Sequence, residues 1–539
     1  MGPLTACIVA PLALAAATSV APPRAARWLA LLGALLTLLV GGMAIADFAA
    51  RPGADFRFVD STPWSTAFGA SFTFGVDGIG AAMLCLSGLI TAIATIAAWQ
   101  QDKWPRVYHA LVLVLLAAMN GVFTSLDLLL FYVSWEMVLL PMLPLVGVFG
   151  GEQRRYAAMK FFVYTLAGSV LMLAMLIALW NATPREGRSV VVPHHVVAAH
   201  ADASHGTLHG LPIDLGHDGP KQVHVPRGFD LRHLALQAEH WQGANFLGVT
   251  LAAFGFFAVL LACLVKIPAI PLHTWLPHAH VQAPTAVSVL LAGVLLKLGV
   301  YGLYRIGVPL FPQAAAAWAP ALGGLGLAGI LWGAWAALGQ RDLKRLVAYS
   351  SVSHMGFCLL GLFSGTVAGA TGGMVQAFTH GLSSGLLFLL VGVVYDRAHH
   401  RRVDGFGGLA RPMPQFAWIL LLGAMAGAGL PALAGFPGEF LVLGGAFTAT
   451  GSFPWLGALA TLSVVLSAAY LLWTLLRVAY GPLRHPEQAA FPDLDGRERL
   501  AAWPLAVLLV VVGLWPGPLV DALRPACELV VQTLQGGRP

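Results

Sequence analysis

Charged side chains are scarce in this sequence. Asp, Glu, Lys and Arg make up 10% of its 539 residues, whereas soluble domains carry roughly 25%. Apolar residues make up 58%, and long apolar runs recur from one end of the chain to the other. This composition excludes a soluble globular protein and indicates a polytopic membrane protein. The net charge of +6 is then explained by basic loops that orient the spans, and not by a nucleic-acid surface.

The sequence also has few cysteines and no CxxC pair. This absence argues against Fe–S clusters, c-type haem and zinc ribbons, all of which need closely spaced thiols. We expect the cysteines to be small, buried, apolar side chains. They are Cys7, Cys85, Cys263, Cys358 and Cys527.

The apolar runs predict fourteen membrane-spanning segments and therefore an all-α polytopic fold. Two of the segments, 246–280 and 413–448, contain prolines and are predicted to be broken helices. The predicted spans are 4–20, 28–48, 75–99, 107–123, 126–149, 156–180, 246–280, 284–307, 318–338, 343–363, 370–395, 413–448, 453–478 and 500–519.

The distribution of Lys and Arg predicts the orientation of the chain. If the N-terminus faces outside, the inside loops hold roughly twice as many basic residues as the outside loops, in accordance with the positive-inside rule. An even number of spans then places both termini on the outside.

The longest predicted loop, 181–243, is rich in histidine. Two interpretations are open: a solvated loop, or a segment that binds metal or buffers protons. No pair of histidines has the spacing of a known metal site. The histidines are His194, His195, His200, His205, His209, His217, His224, His233 and His240.

A GxGxxG pattern occurs at Gly324, Gly326 and Gly329. It lies inside an apolar span, without a preceding strand or an acidic residue placed for a ribose, so a dinucleotide site is not expected. The pattern instead predicts close packing between two helices through small residues.

Six ionisable residues each lie inside a predicted span and several residues from the nearest clear loop, and a charge at the middle of the bilayer costs about 2.5–3.5 kcal/mol on insertion scales. Any one of them alone is explained by snorkelling or a local partner. Six along one chain favour a proton relay, because titratable groups that face one another in a membrane are its parts. The six are Glu136, Lys266, Lys297, His354, His380 and Glu439.

Glu and Lys together make an adjustable element in such a relay. Low dielectric destabilises the charge of a lysine, and a neighbouring carboxylate compensates for it. If the two separate, the uncompensated lysine charge repels the next proton in the line.

The two broken spans each carry one of these charges. Pro268 and Pro271 follow Lys266, and Pro431 and Pro437 precede Glu439. Freed backbone groups in lipid need protein or water partners, so broken helices line polar cavities. Corresponding breaks in two halves of a chain are typical of inverted repeats.

This arrangement predicts four regions. They are three N-terminal helices (1–106), a first five-helix repeat with the extramembrane loop (107–308), a second, inverted repeat (309–480), and a loop with a C-terminal helix (481–539).

Four stretches of the chain carry a family resemblance. They are SLDLLLFYVSWEMVLLPM, KIPAIPLHTWLPHAHVQAPTAVSVLLAGVLLKLGVYGLYR, RDLKRLVAYSSVSHMGF and GLPALAGFPGEF. With them, the chain resembles the antiporter-like subunit M of respiratory complex I, the bacterial counterpart of mitochondrial NADH dehydrogenase subunit 4. The sister subunits L and N and the multisubunit cation/proton antiporters share this scaffold.

The resemblance implies roles for the matching positions. Glu136 and Lys266 would form the coupling ion pair, and Lys297 would be the central proton-accepting residue. His354 and His380 would carry the proton onward from Lys297. Glu439 would be the terminal group toward the outside, and His273 would be a polar bridge.

The resemblance further implies no flavin, Fe–S cluster or quinone site in this chain, and such cofactors in partner subunits. It implies subunits L and N as neighbours, a bacterial inner membrane, and both termini on the periplasmic side. The family usually has an acidic residue where this chain has His278, so a carboxylate at the inner mouth is not expected here.

The sequence therefore predicts a proton-translocating subunit of NADH:quinone oxidoreductase, driven by quinone reduction elsewhere in the complex. Two alternatives remain open at this stage. One is a subunit of a sodium/proton antiporter without a redox partner, and the other is a membrane subunit that only supports assembly.

Overall fold

The computed structural model describes residues 2–192, 201–202, 207–208, 211–212 and 221–536. Helices dominate this part of the chain. The first six are α1 (Pro3–Val20), α2 (Pro23–Ala50), α3 (Gly78–Ala97), α4 (Pro105–Thr124), α5 (Leu128–Gly147, interrupted at Val138) and α6 (Arg154–Ala182).

Two short helices and two broken spans follow. The short helices are α7 (Leu231–Ala235) and α8 (His240–Gly243). Next along the chain are α9 (Leu251–Lys266), a 3₁₀ turn (Leu272–Thr274), α10 (Trp275–Gln282), α11 (Thr285–Leu310, with π-helical turns at Leu291–Leu295 and Leu303–Gly307), α12 (Pro312–Leu338), α13 (Leu343–Phe363), α14 (Val367–Ala398), α15 (Pro414–Gly427) and α16 (Gly435–Thr448). The final three helices are α17 (Phe453–Val478, interrupted at Thr461), α18 (Gly496–Leu514) and α19 (Gly517–Gly536).

The strands lie in the connections between helices. A hairpin pairs β1 (Arg57–Ser65) with β2 (Ala70–Val76) before α3, and β3 (Arg188–Val192) pairs antiparallel with β7 (Lys221–Val225) after α6. The remaining strands have two residues each: β4 (Ala201–Asp202), β5 (Thr207–Leu208), β6 (Leu211–Pro212), β8 (Asn245–Phe246) and β9 (Val249–Thr250).

Short polar side chains begin several of the long helices. Asp77, Asp127, Asp342 and Thr366 each accept a hydrogen bond from a backbone N–H of the first turn of α3, α5, α13 and α14, respectively. These N-caps satisfy donors that would otherwise be left without partners at the helix end. They fix the residue at which each of these four helices begins.

The predicted spans coincide with helices of the structure. Eleven helices in the described part are long and apolar enough to cross a membrane, or twelve if the bent pair α18 and α19 is one span. The predicted broken spans correspond to the shorter pairs α9–α10 and α15–α16. The polytopic all-α fold is confirmed, while the count of fourteen and the repeat layout stay predictions.

The end of the chain differs from the prediction. The span predicted at 500–519 ends earlier, because α18 stops at Leu514 and the chain bends by 71° into α19. Pro516 lies at this bend, and proline cannot continue a helix. Helix α19 buries one stripe, which includes Leu523, Cys527 and Val531, against the bundle. This amphipathic helix was not predicted.

Both breaks retain partners for the backbone that they free. In the first, the indole Nε1 of Trp275 donates to the carbonyl oxygen of Val265 at 2.8 Å. In the second, the backbone N–H of Ala434 donates to the carbonyl oxygen of Leu509 at 2.9 Å. Lys266 is the last residue of α9, and Glu439 lies at the start of α16. The charges therefore stand at the breaks, as the prolines predicted.

Glycines bring α12 and α13 into close contact. A Cβ on Gly326 would lie 2.8 Å from the backbone nitrogen of Leu360, and Gly329 faces the Cα atom of Gly356. The GxGxxG residues therefore serve helix packing, except that a Cβ on Gly324 would meet nothing within 4 Å.

The connection 181–243 is partly folded, and not simply a solvated loop. Trp241, Leu231 and Leu234 are buried. The carbonyl oxygen of Phe229 accepts a backbone hydrogen bond from the start of α5 at 2.7 Å. Of the nine histidines, His194, His195, His200, His205, His209 and His217 lie outside the described residues, so the metal-binding alternative stays open.

The centre of the bundle is formed by α11, α13 and α14. Their most apolar stretches are 94–100% buried inside the chain, whereas those of α1 and α2 are 28% and 33% buried. A charge on α11, α13 or α14 is thus shielded from lipid by protein, and needs a protein or water partner. This is where the candidate site lies.

Candidate functional site

Lys297 is the centre of the candidate site. It lies on α11 between the two π-helical turns, and its side chain is 0% exposed. Its Nζ atom contacts the carbonyl oxygen of Ala292 and lies 2.7 Å from Nδ1 of His380. A charged lysine ammonium has no lone pair and can only donate, so Nδ1 of His380 is the acceptor while Lys297 is protonated. The contact is short enough for direct proton transfer.

The line continues from α14 to α13. The rings of His380 and His354 have centroids 5.3 Å apart and planes inclined by 44°. Nε2 of His380 is buried and has no hydrogen-bond partner in the described part of the chain. The two imidazoles therefore face each other without a direct hydrogen bond.

Glu439 closes the line at the second break. Its Oε1 lies 3.3 Å from Nδ1 of His354. Nε2 of Gln376 lies 3.1 Å from the same ring nitrogen and 3.5 Å from the same carboxylate oxygen. All three side chains are buried. Gln376 therefore holds the histidine and the carboxylate in one hydrogen-bonded group.

Lys266 lies at the first break without a direct carboxylate partner. Its Nζ donates to the carbonyl oxygen of Trp135 at 3.3 Å and sits 3.7 Å from the centroid of the Trp135 ring. The ring face and the carbonyl stabilise the ammonium in place of an ion pair.

Glu136 is near Lys266 but does not touch it. The two charges interact electrostatically, yet no direct ion pair between them is present among the described residues. Glu136 is half-buried, and its Oε1 is buried with no hydrogen-bond partner in the described part. The coupling pair expected from the resemblance is thus apart in this structure.

His273 stands away from the other candidates. It is 8% exposed, its ring lies 6.2 Å from that of Tyr349, and its Nδ1 lacks a partner among the described residues. Its role as a polar bridge stays a prediction.

His278, which replaces the acidic residue usual in the family, lies close to a lysine. Nδ1 of His278 donates to the carbonyl oxygen of Thr274 at 2.8 Å, and Nζ of Lys160 lies 3.4 Å from the same nitrogen. Two groups that can both carry positive charge face each other at this position.

Three buried polar residues were missed by the sequence reasoning. Gln376 precedes His380 by one helical turn, and its position in an apolar run was a usable signal. His280 is 0% exposed and stacks on Phe388 with a centroid distance of 4.2 Å, and neither of its ring nitrogens has a hydrogen-bond partner among the residues that the structure describes. Lys344, at the start of the span predicted at 343–363, is buried and donates to the carbonyl oxygen of Ala283 at 2.7 Å.

The described residues contain no cluster of three or more His, Cys, Asp or Glu side chains that could hold a metal ion. The five cysteines are unpaired, and four of them are buried. Of the side chains that form the line, Lys297, His380, His354 and Glu439 are groups that can donate and accept protons. Whether cofactors reside in partner subunits stays a prediction.

Comparisons with known proteins agree with the resemblance. The family model for NADH:quinone oxidoreductase/Mrp antiporter transmembrane proteins matches residues 125–196 and 228–467. NADH-quinone oxidoreductase subunit M of Rhodobacter capsulatus is 37% identical over 530 residues, which covers 97% of this chain and 95% of the relative.

Solved structures show the same fold. A chain of respiratory complex I from Thermus thermophilus with bound NADH superposes with a TM-score of 0.81 at 31% identity, covering 98% of this chain and 99% of the other. A chain of the Mrp complex from Dietzia sp. DQ12-45-1b shares the fold alone, with a TM-score of 0.79 at 20% identity and 98% coverage of both chains. The chain therefore belongs to the NADH:quinone oxidoreductase/Mrp antiporter transmembrane family, and within it to the subunit M type of complex I.

Proposed function

We propose that this chain moves protons through the line Lys297, His380, His354 and Glu439. The observation that carries the proposal is the continuity of these four buried side chains across α11, α14, α13 and α16. Family membership places the chain in the membrane part of an NADH:quinone oxidoreductase complex. Redox chemistry in other subunits would supply the energy.

In the proposed mechanism, the charge of Lys266 is the variable element. When Glu136 is close, it compensates that charge; when Glu136 moves away, the ammonium is uncompensated and repels the proton on Lys297. The half-buried position of Glu136 and its lack of an ion pair support a carboxylate that can move.

The proton would then pass from Nζ of Lys297 to Nδ1 of His380. An imidazole accepts a proton on one nitrogen and releases one from the other, so the unpartnered Nε2 of His380 is the donor toward His354. Because no direct hydrogen bond joins the two rings, a bridging water or a ring rotation completes this step. Glu439 would accept the proton last.

The Glu136→Gln variant tests the coupling pair. It keeps the shape of the side chain but removes its charge, so we expect NADH-driven proton uptake and NADH:quinone turnover to collapse together in membranes that hold assembled complex. Glu152→Gln is the matched control, because Glu152 is exposed and lies outside the line. Normal proton uptake in assembled Glu136→Gln complex would refute the coupling role.

A sodium/proton antiporter is the second candidate, because the fold also matches a chain of an Mrp complex. It predicts sodium-dependent proton exchange in vesicles without NADH. Proton uptake that needs NADH and is indifferent to sodium supports the complex I function.

The finer organisation is also proposed. The match to a complex I chain supports association with other complex I subunits, and we propose that these include L and N. We further propose a bacterial inner membrane, two inverted repeats and both termini in the periplasm.

The orientation can be tested by labelling with a membrane-impermeant thiol reagent. Both Glu239 and Arg484 are exposed. A cysteine at Glu239 should react only from the periplasm, and one at Arg484 only from the cytoplasm. The reverse pattern would invert the proposed topology.

A further inference from the structure

A cavity of about 310 Å³ lies at one end of the bundle, away from the proton line. Its walls come from the start of α3, α7, the end of α11, the start of α12, and α19. The sequence places every one of these segments on the outside. In the proposed topology, the cavity therefore opens on the outside, which is the side where this chain would release protons.

An ion pair lies on the wall of this cavity. Nη2 of Arg305 is 2.6 Å from Oδ1 of Asp77, and the two side chains are 11% and 6% exposed. Nε of Arg305 donates to the hydroxyl of Tyr301 at 3.1 Å, and that hydroxyl donates to the carbonyl oxygen of Phe123 at 2.9 Å. The guanidinium is therefore held in place from two sides.

The same helix connects this pair to the proton line. Lys297, Tyr301 and Arg305 are spaced by four residues along α11, so they follow one another along one helix face. Exposure falls from 11% for the Arg305 side chain to 1% for Tyr301 and 0% for Lys297. Arg305 thus lies at the cavity wall, and Tyr301 lies between it and the central lysine.

We propose that Arg305 is a barrier that prevents protons in the outer cavity from flowing back to Lys297. The inference rests on the proposed function of Lys297. A guanidinium stays protonated in proteins, so it cannot relay a proton by releasing one. Its fixed charge also repels an approaching proton, which is how arginine excludes cations from other pores.

The size of the effect follows from the geometry. Eight residues of helix separate Lys297 from Arg305 by about 12 Å. At an effective dielectric constant of about 20, a unit charge at this distance changes proton occupancy by about tenfold. Asp77 reduces this effect and fixes the guanidinium, but it does not supply the barrier.

The test separates charge from structure with two variants. Arg305→Gln removes the positive charge, whereas Asp77→Asn keeps that charge and keeps a side chain suited to cap α3. Assembled complex carrying each variant is placed in vesicles with electron transfer blocked by a quinone-site inhibitor. A pH jump outside is then followed with an enclosed pH-sensitive dye. Arg232→Gln is the control, because Arg232 lines the same cavity and pairs with Asp230 but does not lie on α11.

We expect proton entry to be about tenfold faster with Arg305→Gln than with the unmodified complex, and unchanged with Asp77→Asn and Arg232→Gln. Equal increases in proton entry with Arg305→Gln and Asp77→Asn would show that the ion pair has only a structural role, and would overturn the proposal. Proton entry that is not faster with Arg305→Gln, or that is faster only with Asp77→Asn, would overturn the proposal as well.

Arg305→Lys covers the case in which Arg305→Gln does not assemble. A lysine at this position can pair with Asp77 but can also release its proton. We therefore expect faster proton entry with Arg305→Lys, and unchanged proton entry would count against the barrier. The proposed proton path through Lys297 is refuted by a different result. Full NADH-driven pumping by a Lys297→Ala complex would refute that path, whatever the rate of proton entry in the Arg305 variants.

Discussion

Lys297 is enclosed on all sides by protein, and in the described part of the chain its Nζ atom contacts a carbonyl oxygen and an imidazole nitrogen. A lysine in that setting can exist charged or neutral, because the histidine can take the proton that the lysine gives up. Arginine has the same charge but no accessible neutral form. The residue type therefore matters as much as the charge.

This difference gives a prediction for Lys297→Arg. We expect coupled proton pumping to fall by about tenfold or more, because a guanidinium stays charged and cannot pass its proton to His380. The measurement is NADH-driven proton uptake per electron in membranes with assembled complex. Arg24→Lys, on an exposed residue, is the control for a Lys/Arg exchange. Undiminished pumping by Lys297→Arg would remove Lys297 from the path.

At this scale the sequence identified residue types but not contacts. Lys297, His380, His354 and Glu439 could be selected because a charge in an apolar run is unusual. That Gln376 joins two of them, or that Glu136 stays apart from Lys266, depends on which way side chains point in the folded bundle. Such directions follow from tertiary packing, which hydropathy does not encode.

Among the elements, the α12–α13 pair shows how closely helices approach where glycine removes the side chain. A Cβ on Gly333 would lie 2.5 Å from the backbone nitrogen of Ser353, whereas a Cβ on Gly324 would meet nothing within 4 Å. The two positions lie on the same helix and differ only in what they face. His354 follows Ser353 directly, so the spacing of these helices also positions the proton line.

The pair of glycines gives a matched prediction. Gly333→Ala should destabilise the chain by about 1–3 kcal/mol, because backbone must shift to admit the methyl group. Gly324→Ala should leave stability unchanged or raise it by up to about 1 kcal/mol, since alanine is the better helix former. Thermal loss of assembled complex measures both, and equal effects would contradict the packing argument.

The elements themselves were largely predictable. Long apolar runs located the helices, and prolines located both breaks, because these signals are local in the sequence. Helix α19 was missed since its apolar residues form a stripe and not a run, and Pro525 interrupts the pattern. Its burial depends on the surface that the other helices present.

For the whole molecule, one buried ion pair joins the central helices to the last span. Both nitrogens of the Arg397 fork donate to Glu498, at 2.9 and 2.8 Å. The same guanidinium also donates to the carbonyl oxygens of Val393, Pro492 and Asp493. The side chains are 9% and 7% exposed, so both charges are largely removed from solvent.

Removing one partner should therefore be costly. We predict that Arg397→Leu destabilises the chain by up to about 3 kcal/mol, because in the described part of the chain the buried carboxylate of Glu498 then keeps only the longer ion-pair contact with Arg497, at 3.9 Å. The double variant Arg397→Leu/Glu498→Leu should recover part of that loss. The thermal midpoint for release of this subunit from the complex measures the stability of both variants. A double variant less stable than Arg397→Leu would contradict the prediction.

Helix α19 has a consequence for how the molecule is made. Gly78 leaves no room for a Cβ because the carbonyl of Ala522 lies against it, and Gln535 donates to the carbonyl oxygen of Gly365 at 2.9 Å. These contacts join parts of the chain that are far apart in sequence, which is a slow kind of contact to form. During synthesis, the ends of α3 and α14 stay uncovered until every span that precedes α19 has left the ribosome. In the topology proposed above, the contacts of α19 with these two ends would then form on the side of the membrane opposite to the ribosome.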